Sequence, residues 1–198
     1  MSESMQTQIL EQIEQSIAVK QAVLADQNIL NRIQLLVEAC ISSLRAGGKI
    51  IFAGNGGSFA DAQHLSAEFT SRLIFNRPPL ASMALGTNNS AITAIANDYG
   101  YDQVFARELM GMGKVEDVFI PISTSGNSPN ILNAVEVAKK LGILTIGMTG
   151  KFGGMLMSTC NCLCIPSDET VRIQECHIMV GHILCTLVEE EFFRKRAN

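Results

Sequence analysis

Short apolar runs alternate along this chain with longer stretches in which apolar residues recur at helical spacing. The runs predict five β-strands, at 50–53, 80–85, 118–122, 143–149 and 160–165. The longer stretches predict helices at 59–73, 88–97, 103–111, 129–141 and 171–193. Because strands that alternate with helices pair in parallel, the pattern predicts an α/β fold with a doubly wound five-stranded parallel sheet flanked by helices.

The first 46 residues predict a pair of helices that forms an extension before the sheet. Ile9, Ile13 and Ile17 mark the apolar stripe of the first helix, and the stripe of the second begins at Ile29. The glycines at 47 and 48 end the second helix. We therefore expect one domain over 1–198, with an N-terminal helical pair at 1–46 and an α/β sandwich core at 47–198.

Two polar loops each follow a predicted strand and open a predicted helix. The first reads Gly-Asn-Gly-Gly-Ser at 54–58, and the second reads Ser-Thr-Ser-Gly-Asn-Ser at 123–128. Free backbone N–H groups at a helix N-terminus favour an anion, and ligands of such sheets bind at the carboxyl ends of the strands. Together the loops indicate a phosphorylated small molecule. Either loop alone is weak evidence, because strand-to-helix turns also use Gly, Ser and Asn for turn geometry and capping.

Four polar side chains on two predicted helices offer acid–base or metal-binding chemistry. His64 and Glu68 are one helical turn apart and share a face, whereas Gln174 and His182 lie about 12 Å apart along the axis of the last helix and about 80° apart around it. Those two therefore serve one metal ion only if they lean toward each other or come from different copies of the chain. Taken singly, His64 and Glu68 also fit a surface helix pair, and His182 also fits a buried, hydrogen-bonded histidine.

Two imidazoles, one carboxylate and one amide oxygen form a set that can bind a borderline divalent metal ion and also transfer protons. Aldose–ketose interconversion requires such groups, because a base removes a proton beside the carbonyl and an acid serves the neighbouring atoms of the enediol. Asn97 and Asp98 are further candidates, for recognition of sugar hydroxyls, although the pair also fits a helix-ending turn. Arg72 and Arg77 are candidates to reach a phosphate, or else solvated surface groups.

Composition narrows the possible partners. The formal net charge is −4 and no long basic run is present, which argues against nucleic-acid binding through a broad electrostatic footprint. The sequence predicts no signal peptide and no membrane span, so we expect a cytoplasmic protein. Apolar residues make up 47% and charged residues 17% of the chain, which indicates helix faces buried against other subunits.

The six cysteines fit a reducing compartment. Cys160, Cys162 and Cys164 alternate, so they share one face of the fifth predicted strand. A zinc cluster is one interpretation of this spacing, and a strand with small apolar side chains is the favoured one.

Read in order, the motifs resemble those of the phosphoheptose isomerases of the sugar isomerase (SIS) domain superfamily. The similarity covers nearly the whole chain. The segments that carry it are 54–58, Asp61-Ala62-Gln63-His64, Glu68, Asn97-Asp98, 123–128, Met148-Thr149-Gly150 and Arg172-Ile173-Gln174-Glu175. Phe59 and Val171 depart from the family pattern, in which smaller residues are usual at both places.

The resemblance implies an isomerase that converts sedoheptulose 7-phosphate to D-glycero-D-manno-heptose 7-phosphate at the head of nucleotide-activated heptose synthesis. It implies a homotetramer with active sites between subunits and one Zn²⁺ per subunit. Glu68 is implied as base and His182 as acid. The implied metal ligands are His64, Glu68, Gln174 and His182. The implied substrate contacts are Asn55, Gly56, Gly57, Glu68, Asn97, Asp98, Ser123, Thr124, Ser125, Ser128 and Gln174.

Two alternatives follow from the same fold. A non-catalytic regulatory SIS protein would bind a sugar phosphate or associate with a replication initiator, but it would not need the complete acid–base set found here. An isomerase of hexose or pentose phosphates would use the same set, because pocket depth rather than these residues selects the length of the sugar.

Overall fold

Five parallel strands form the centre of the fold in a computed structural model that describes residues 4–194. The strands are β1 (Ile50–Ala53), β2 (Ser82–Ala84), β3 (Val118–Ser123), β4 (Leu144–Thr149) and β5 (Asn161–Cys164). They lie in the order β2-β1-β3-β4-β5, and every neighbouring pair is parallel. The chain therefore winds outward in both directions from β1 and β3, which confirms the doubly wound α/β fold.

Helices cover both faces of this sheet. In the described part of the chain they are α1 (Met5–Ala25), α2 (Gln27–Arg45), α3 (Gly57–Thr70), α4 (Asn89–Tyr99), α5 (Val104–Met112), α6 (Pro129–Leu141), α7 (Gly154–Thr159) and α8 (Thr170–Phe193). A single 3-10 turn, Tyr101–Gln103, joins α4 to α5. The helix after each strand returns the chain to the start of the next parallel strand.

The alternation of side chains along β1 explains why the core has two layers. Ile50 and Phe52 face one layer, where α2, α3 and α8 contribute buried apolar side chains. Ile51 and Ala53 face the opposite layer, which α5, α6 and α7 cover. Because all four positions are fully buried, β1 is a continuous apolar run, as expected for a parallel sheet covered on both sides.

Capping residues set the helix boundaries near the N-terminus. The side chain of Ser4 accepts a hydrogen bond from Thr7 N–H at the start of α1. Asp26 ends α1 and caps α2, because its carboxylate accepts hydrogen bonds from the N–H groups of Asn28 and Ile29. One residue, Asp26, thus separates the two helices of the predicted pair. Glu3, where the first of these helices was predicted to begin, lies outside the described residues.

Two features differ from the sequence prediction, and a third concerns a face expected to be buried by other subunits. β2 is only three residues long, shorter than the predicted strand at 80–85. The short helix α7 follows the glycine-rich turn at 150–154 and was not predicted, because six residues are too few to show a helical period. The apolar stripe of α1 is largely exposed: Ile9, Ile13 and Ile17 have exposed fractions of 54%, 52% and 48%.

Helix α8 is long and apolar enough by length and composition alone to cross a membrane. Half of its most apolar window is buried within the fold, and α8 packs against α1, α2, α3 and β4. Core helices of sheet proteins pass the same test, and the packing accounts for the apolar composition of α8.

A buried ion pair ties α8 to the segment that follows α3. Arg77 Nη2 lies 3.0 Å from Glu189 Oε2, and both side chains are almost completely buried. The Glu189 carboxylate also accepts hydrogen bonds from the backbone N–H groups of Leu73, Ile74 and Phe75. Arg77 is therefore a structural residue and not, as the sequence also allowed, a phosphate ligand.

The hydrogen bonds to Glu189 have a net effect on its ionisation. Burial on its own would raise the pKa of this carboxyl, but the hydrogen bonds from the Phe75 N–H, Arg77 and the neighbouring N–H groups lower the pKa below its ordinary 4.5. The contribution of ionised Glu189 to stability is therefore present above pH 4.5 and is lost as the pH falls through the lowered pKa.

We expect Glu189→Gln to lower the free energy of unfolding by about 3–5 kcal/mol, because it leaves the Arg77 charge buried without a counter-charge. Chemical denaturation at neutral pH measures this change. Glu191→Gln is the matched control: Glu191 pairs with Arg194 on the surface, so little change is expected. Equal effects of the two substitutions would contradict the structural role of the buried pair.

Candidate active site

The two polar loops lie side by side at the carboxyl edge of the sheet. β1 and β3 are neighbours, with Ala53 opposite Pro121, and the loop at 54–58 follows β1 as the loop at 123–128 follows β3. The helices that these loops open, α3 and α6, contribute to opposite layers of the core. The loops therefore flank the crevice where the strand order reverses, which is the usual ligand site of such sheets.

An amide pair joins the first loop to α6, the helix that the second loop opens. Asn55 Nδ2 donates to Asn130 Oδ1 at 2.9 Å, and Asn130 Nδ2 donates back to Asn55 Oδ1 at 2.8 Å. Asn130 lies in the first turn of α6 and is buried. Tyr101 Oη also donates to Asn55 Oδ1, at 3.1 Å. These contacts fix the Asn55 side chain and leave it one N–H donor for a ligand.

The first loop turns into α3 at Gly56, which has φ +56° and occupies the N-cap position. A side chain at this φ would be strained, and Gly56 and Gly57 are both exposed at the helix N-terminus. The first backbone N–H groups of α3 are consequently free to face an anion or hydroxyl group.

Hydrogen bonds within the second loop hold its serine side chains. Ser123 Oγ accepts from Gly126 N–H at 3.1 Å and lies 3.1 Å from Ser128 Oγ. Ser125 Oγ accepts from Asn127 N–H at 3.2 Å. Helix α7, which the sequence did not predict, holds this loop in place through a hydrogen bond from Leu156 N–H to the Gly126 carbonyl.

A cluster of three titratable side chains forms where α3 and α8 run side by side. His64 Nε2 lies 2.9 Å from His182 Nε2 and 3.5 Å from Glu68 Oε1. Gly181, the neighbour of His182, has no Cβ, and one there would collide with Leu65. The absence of a side chain at 181 therefore allows α8 to approach α3 closely enough for the two imidazoles to meet.

The cluster has the dimensions of a metal site. One ligand atom from each of His64, Glu68 and His182 lies within 4.8 Å of the others. Donor atoms of a tetrahedral ion with bonds of about 2.0–2.1 Å are about 3.3 Å apart. Two nitrogens and one carboxylate oxygen at this spacing fit a borderline divalent ion and leave a coordination position open, so the donor set suits a metal ion.

Gln174 lies apart from these three residues. Its amide is beside Gly57 in the first turn of α3, where a Cβ on Gly57 would be 2.5 Å from Gln174 Nε2. Gln174 faces the first turn of α3, whereas His182 faces α3 two turns later, at His64. Within one chain, the structure therefore brings together three of the four predicted metal ligands.

Asp61 was not assigned a role in the sequence, although it lies three residues before His64 on the same face of α3. Burial raises the pKa of Asp61, and the charges of His64 and His182 oppose this rise. Its Oδ2 is buried and has no hydrogen-bond partner among the described residues. Asp61 therefore lies beside the imidazole pair of His64 and His182. Its i, i+3 spacing to His64 in the sequence could have predicted this position.

The remaining candidates lie outside this cluster. Asn97 and Asp98 are exposed near the end of α4, where Asn97 Nδ2 donates to Asp98 Oδ1 at 2.8 Å. Arg72 is exposed after α3. His177, the third histidine of the chain, is buried, and burial lowers its pKa to about 4 against the opposing effect of the hydrogen bond to the Thr149 carbonyl. It is therefore neutral at physiological pH.

Comparison with known proteins decides the family. Residues 6–150 match the family model described as SIS domain. A phosphoheptose isomerase of Aneurinibacillus thermoaerophilus is 51% identical over 185 residues, which are 93% of this chain and 93% of that protein. This chain belongs to the phosphoheptose isomerases of the SIS-domain family. It is a phosphosugar isomerase, as the sequence predicted.

Other members of the phosphoheptose isomerase family agree in sequence and in structure. The phosphoheptose isomerase of Sulfurimonas denitrificans is 49% identical over 195 residues, covering 98% of this chain and 100% of that one. The solved structure of a phosphoheptose isomerase from Neisseria gonorrhoeae has a TM-score of 0.88 and 37% identity, over 94% of this chain and 100% of that chain.

We expect His64→Ala and His182→Ala to reduce the divalent metal retained per subunit after dialysis, because each removes one nitrogen donor from the cluster. Elemental analysis of the purified isomerase measures the retained metal. Gln63→Ala, an exposed neighbour of His64 on the same helix, is the control and should retain as much metal as the unaltered chain. Full metal content in His64→Ala would exclude the cluster as the metal site.

Proposed function

We propose that this isomerase interconverts sedoheptulose 7-phosphate and D-glycero-D-manno-heptose 7-phosphate through an enediol(ate), in the cytoplasm. The observation that carries the proposal is the meeting of His64, Glu68 and His182 in a chain that also has both phosphosugar loops at the sheet edge. The product is the kind of sugar phosphate from which nucleotide-activated heptoses of surface glycans are built.

Glu68 is the proposed base and His182 the proposed acid. Oε1 of Glu68 faces His64, which leaves Oε2 available for the proton on C1 of the ketose. His182 then donates a proton to O2 of the enediol and takes the proton from O1, and return of the carbon-bound proton to C2 completes the aldose. A Zn²⁺ ion held by His64, Glu68, His182 and Gln174 would polarise the substrate oxygens.

The second loop is the proposed phosphate site. Ser123, Thr124, Ser125 and Ser128 offer hydroxyl groups, and the N-terminus of α6 adds N–H donors and a favourable helix dipole. Asn55, with the N–H groups of Gly56 and Gly57, is proposed to bind sugar hydroxyls, with Asn97 and Asp98 at the outer end of the substrate.

The distance between the loops and the catalytic cluster supports a site shared between two subunits. A rise of 1.5 Å per residue places Glu68 about 16 Å from Gly57 along α3, so one substrate in contact with both would have to extend along about three turns of that helix. A homotetramer with active sites at its interfaces would bring the loops of one copy to the cluster of another. Such contacts would also cover the exposed stripe of α1 and place a partner's Gln174 at the metal.

Glu68→Gln is expected to lower kcat on sedoheptulose 7-phosphate by about 10²- to 10⁴-fold, because the amide cannot accept the carbon-bound proton. The assay is run at saturating Zn²⁺ so that metal loss does not mimic loss of the base. Glu38→Gln makes the same chemical change on the exposed surface of α2 and should leave kcat unchanged. Near-normal turnover of Glu68→Gln would remove Glu68 as base.

A shared site predicts that two inactive variants restore each other. We expect Glu68→Gln and a Thr124→Val/Ser125→Ala double variant to regain activity when they are unfolded together and reassembled. In mixed oligomers, some sites then combine intact loops from one chain with an intact cluster from another. Each variant reassembled alone is the control, and no gain in the mixture would place the whole site within one chain.

The same assay tests the length of the sugar. We expect the heptose phosphate to be converted with a higher kcat/KM than ketohexose or ketopentose phosphates. A preference for a shorter sugar would overturn the substrate assignment. It would not change the proposed roles of Glu68 and His182, which the experiments above test.

A further inference from the structure

A cavity of about 310 Å³ lies beside β5, at the opposite edge of the sheet from β2. It opens between the start of α2 and the turn that follows β4. Its lining combines thiols with two cationic side chains and one carboxylate, and includes Asp26, Arg32, Lys151, Cys160, Cys162 and Cys164. None of the residues that line it belongs to the loops or to the His64–Glu68–His182 cluster.

Two of these thiols are in contact. The Sγ atoms of Cys160 and Cys162 are 3.9 Å apart. Cys160 ends α7 and has an extended backbone, so its side chain and that of Cys162 point to the same face of the strand. Cys160 is half-buried and Cys162 is buried. Cys164, two residues further along β5, points to the same face.

The pair is chemically unequal. The pKa of Cys160 is lowered, chiefly because the Cys162 thiol can donate a hydrogen bond to its thiolate; burial opposes this, and the Gly147 N–H and the Thr159 hydroxyl add to it. The same hydrogen bond, together with burial, raises the pKa of Cys162. A more acidic, more accessible thiol beside a less acidic one is the arrangement of an attacking and a resolving cysteine.

We propose that Cys160 and Cys162 form a reversible dithiol–disulfide site that reacts with an anionic low-molecular-weight disulfide of the glutathione type. The Cys160 thiolate attacks one sulfur of that disulfide, forming a mixed disulfide and releasing one thiolate. Cys162 then loses its proton and attacks Cys160 Sγ, which releases the second thiolate. The two cysteines are oxidised to one disulfide, and the small disulfide is reduced to two thiols.

The charge and size of the cavity suit this reactant. Arg32 and Lys151 outnumber Asp26 in the lining, which favours the carboxylates of an anionic disulfide. The Arg32 charge also opposes the rise in pKa that the Cys160 hydrogen bond and burial cause at Cys162 and that burial causes at Cys164. The open volume of about 310 Å³ is on the scale of a small peptide, and Cys162 lies buried at its wall.

Closing the disulfide requires the backbone to bend. Two residues of extended chain span about 6.6–7.2 Å, near the upper limit for the Cα separation in a disulfide. The residue between the cysteines, Asn161, is exposed and begins β5 opposite Ile146. Oxidation should therefore loosen the start of β5, and the disulfide should be easily reduced.

The test treats the reduced, assembled isomerase with oxidised glutathione, blocks remaining thiols by alkylation, and measures intact mass and peptide linkage. We expect the chain to lose two hydrogen atoms with Cys160 linked to Cys162, and dithiothreitol to reverse the change. Cys162→Ser and Cys162→Ala should both stop at one glutathione on Cys160. Two substitutions are used because Cys162 is buried. If both give the same result, the loss of the thiol rather than a disturbed fold accounts for it.

Cys164→Ser is the matched control, and it should oxidise as the unaltered chain does. Cys160→Ser should form neither the mixed nor the internal disulfide at this site. Glutathione on Cys164 in preference to Cys160, or an unchanged chain under conditions that oxidise a free dithiol peptide, would overturn the proposal. Hydrogen exchange gives a second readout, in which oxidation should speed exchange at the start of β5 and leave β1 unchanged.

Discussion

The close packing of α8 against α3 is the constraint on which the candidate active site depends. The two helices run in the same direction and contribute to the same layer of the core, and the glycine at 181 removes the one side chain that would hold them apart. Without this contact the imidazoles of His64 and His182 would belong to separate surfaces. At the far end of the same helix pair, the buried Arg77–Glu189 pair fixes where α8 lies along α3.

The local features of the sequence predicted most of the fold. Apolar runs at β1 and β3 and in the second half of β4 are buried on both faces, so their sequences differ sharply from those of the helices between them. The two polar loops follow from strand ends and helix starts that lie close together in the chain. The five-stranded parallel sheet is thus a consequence of patterns only a few residues long.

The parts that escaped prediction depend on residues far apart in the chain. The partner of Arg77 lies 112 residues away, and that of Asn55 lies 75 residues away, so no periodicity could indicate either contact. The exposed α1 stripe is a related case, since an apolar pattern indicates that a face is buried but not which chain covers it. Similarity to a family named the site residues, and packing then showed which of them meet within one chain.

The link between the two loops is made of amide groups, and this has a consequence for how the protein responds to its surroundings. Amides carry no charge and do not titrate, so the spacing between the loops at Asn55 and Asn130 does not change when nearby carboxylates or imidazoles gain protons. The link also places no fixed negative charge beside an incoming anion. The amide link is therefore indifferent to acidity, and any acid sensitivity at this edge of the sheet belongs to groups other than Asn55 and Asn130.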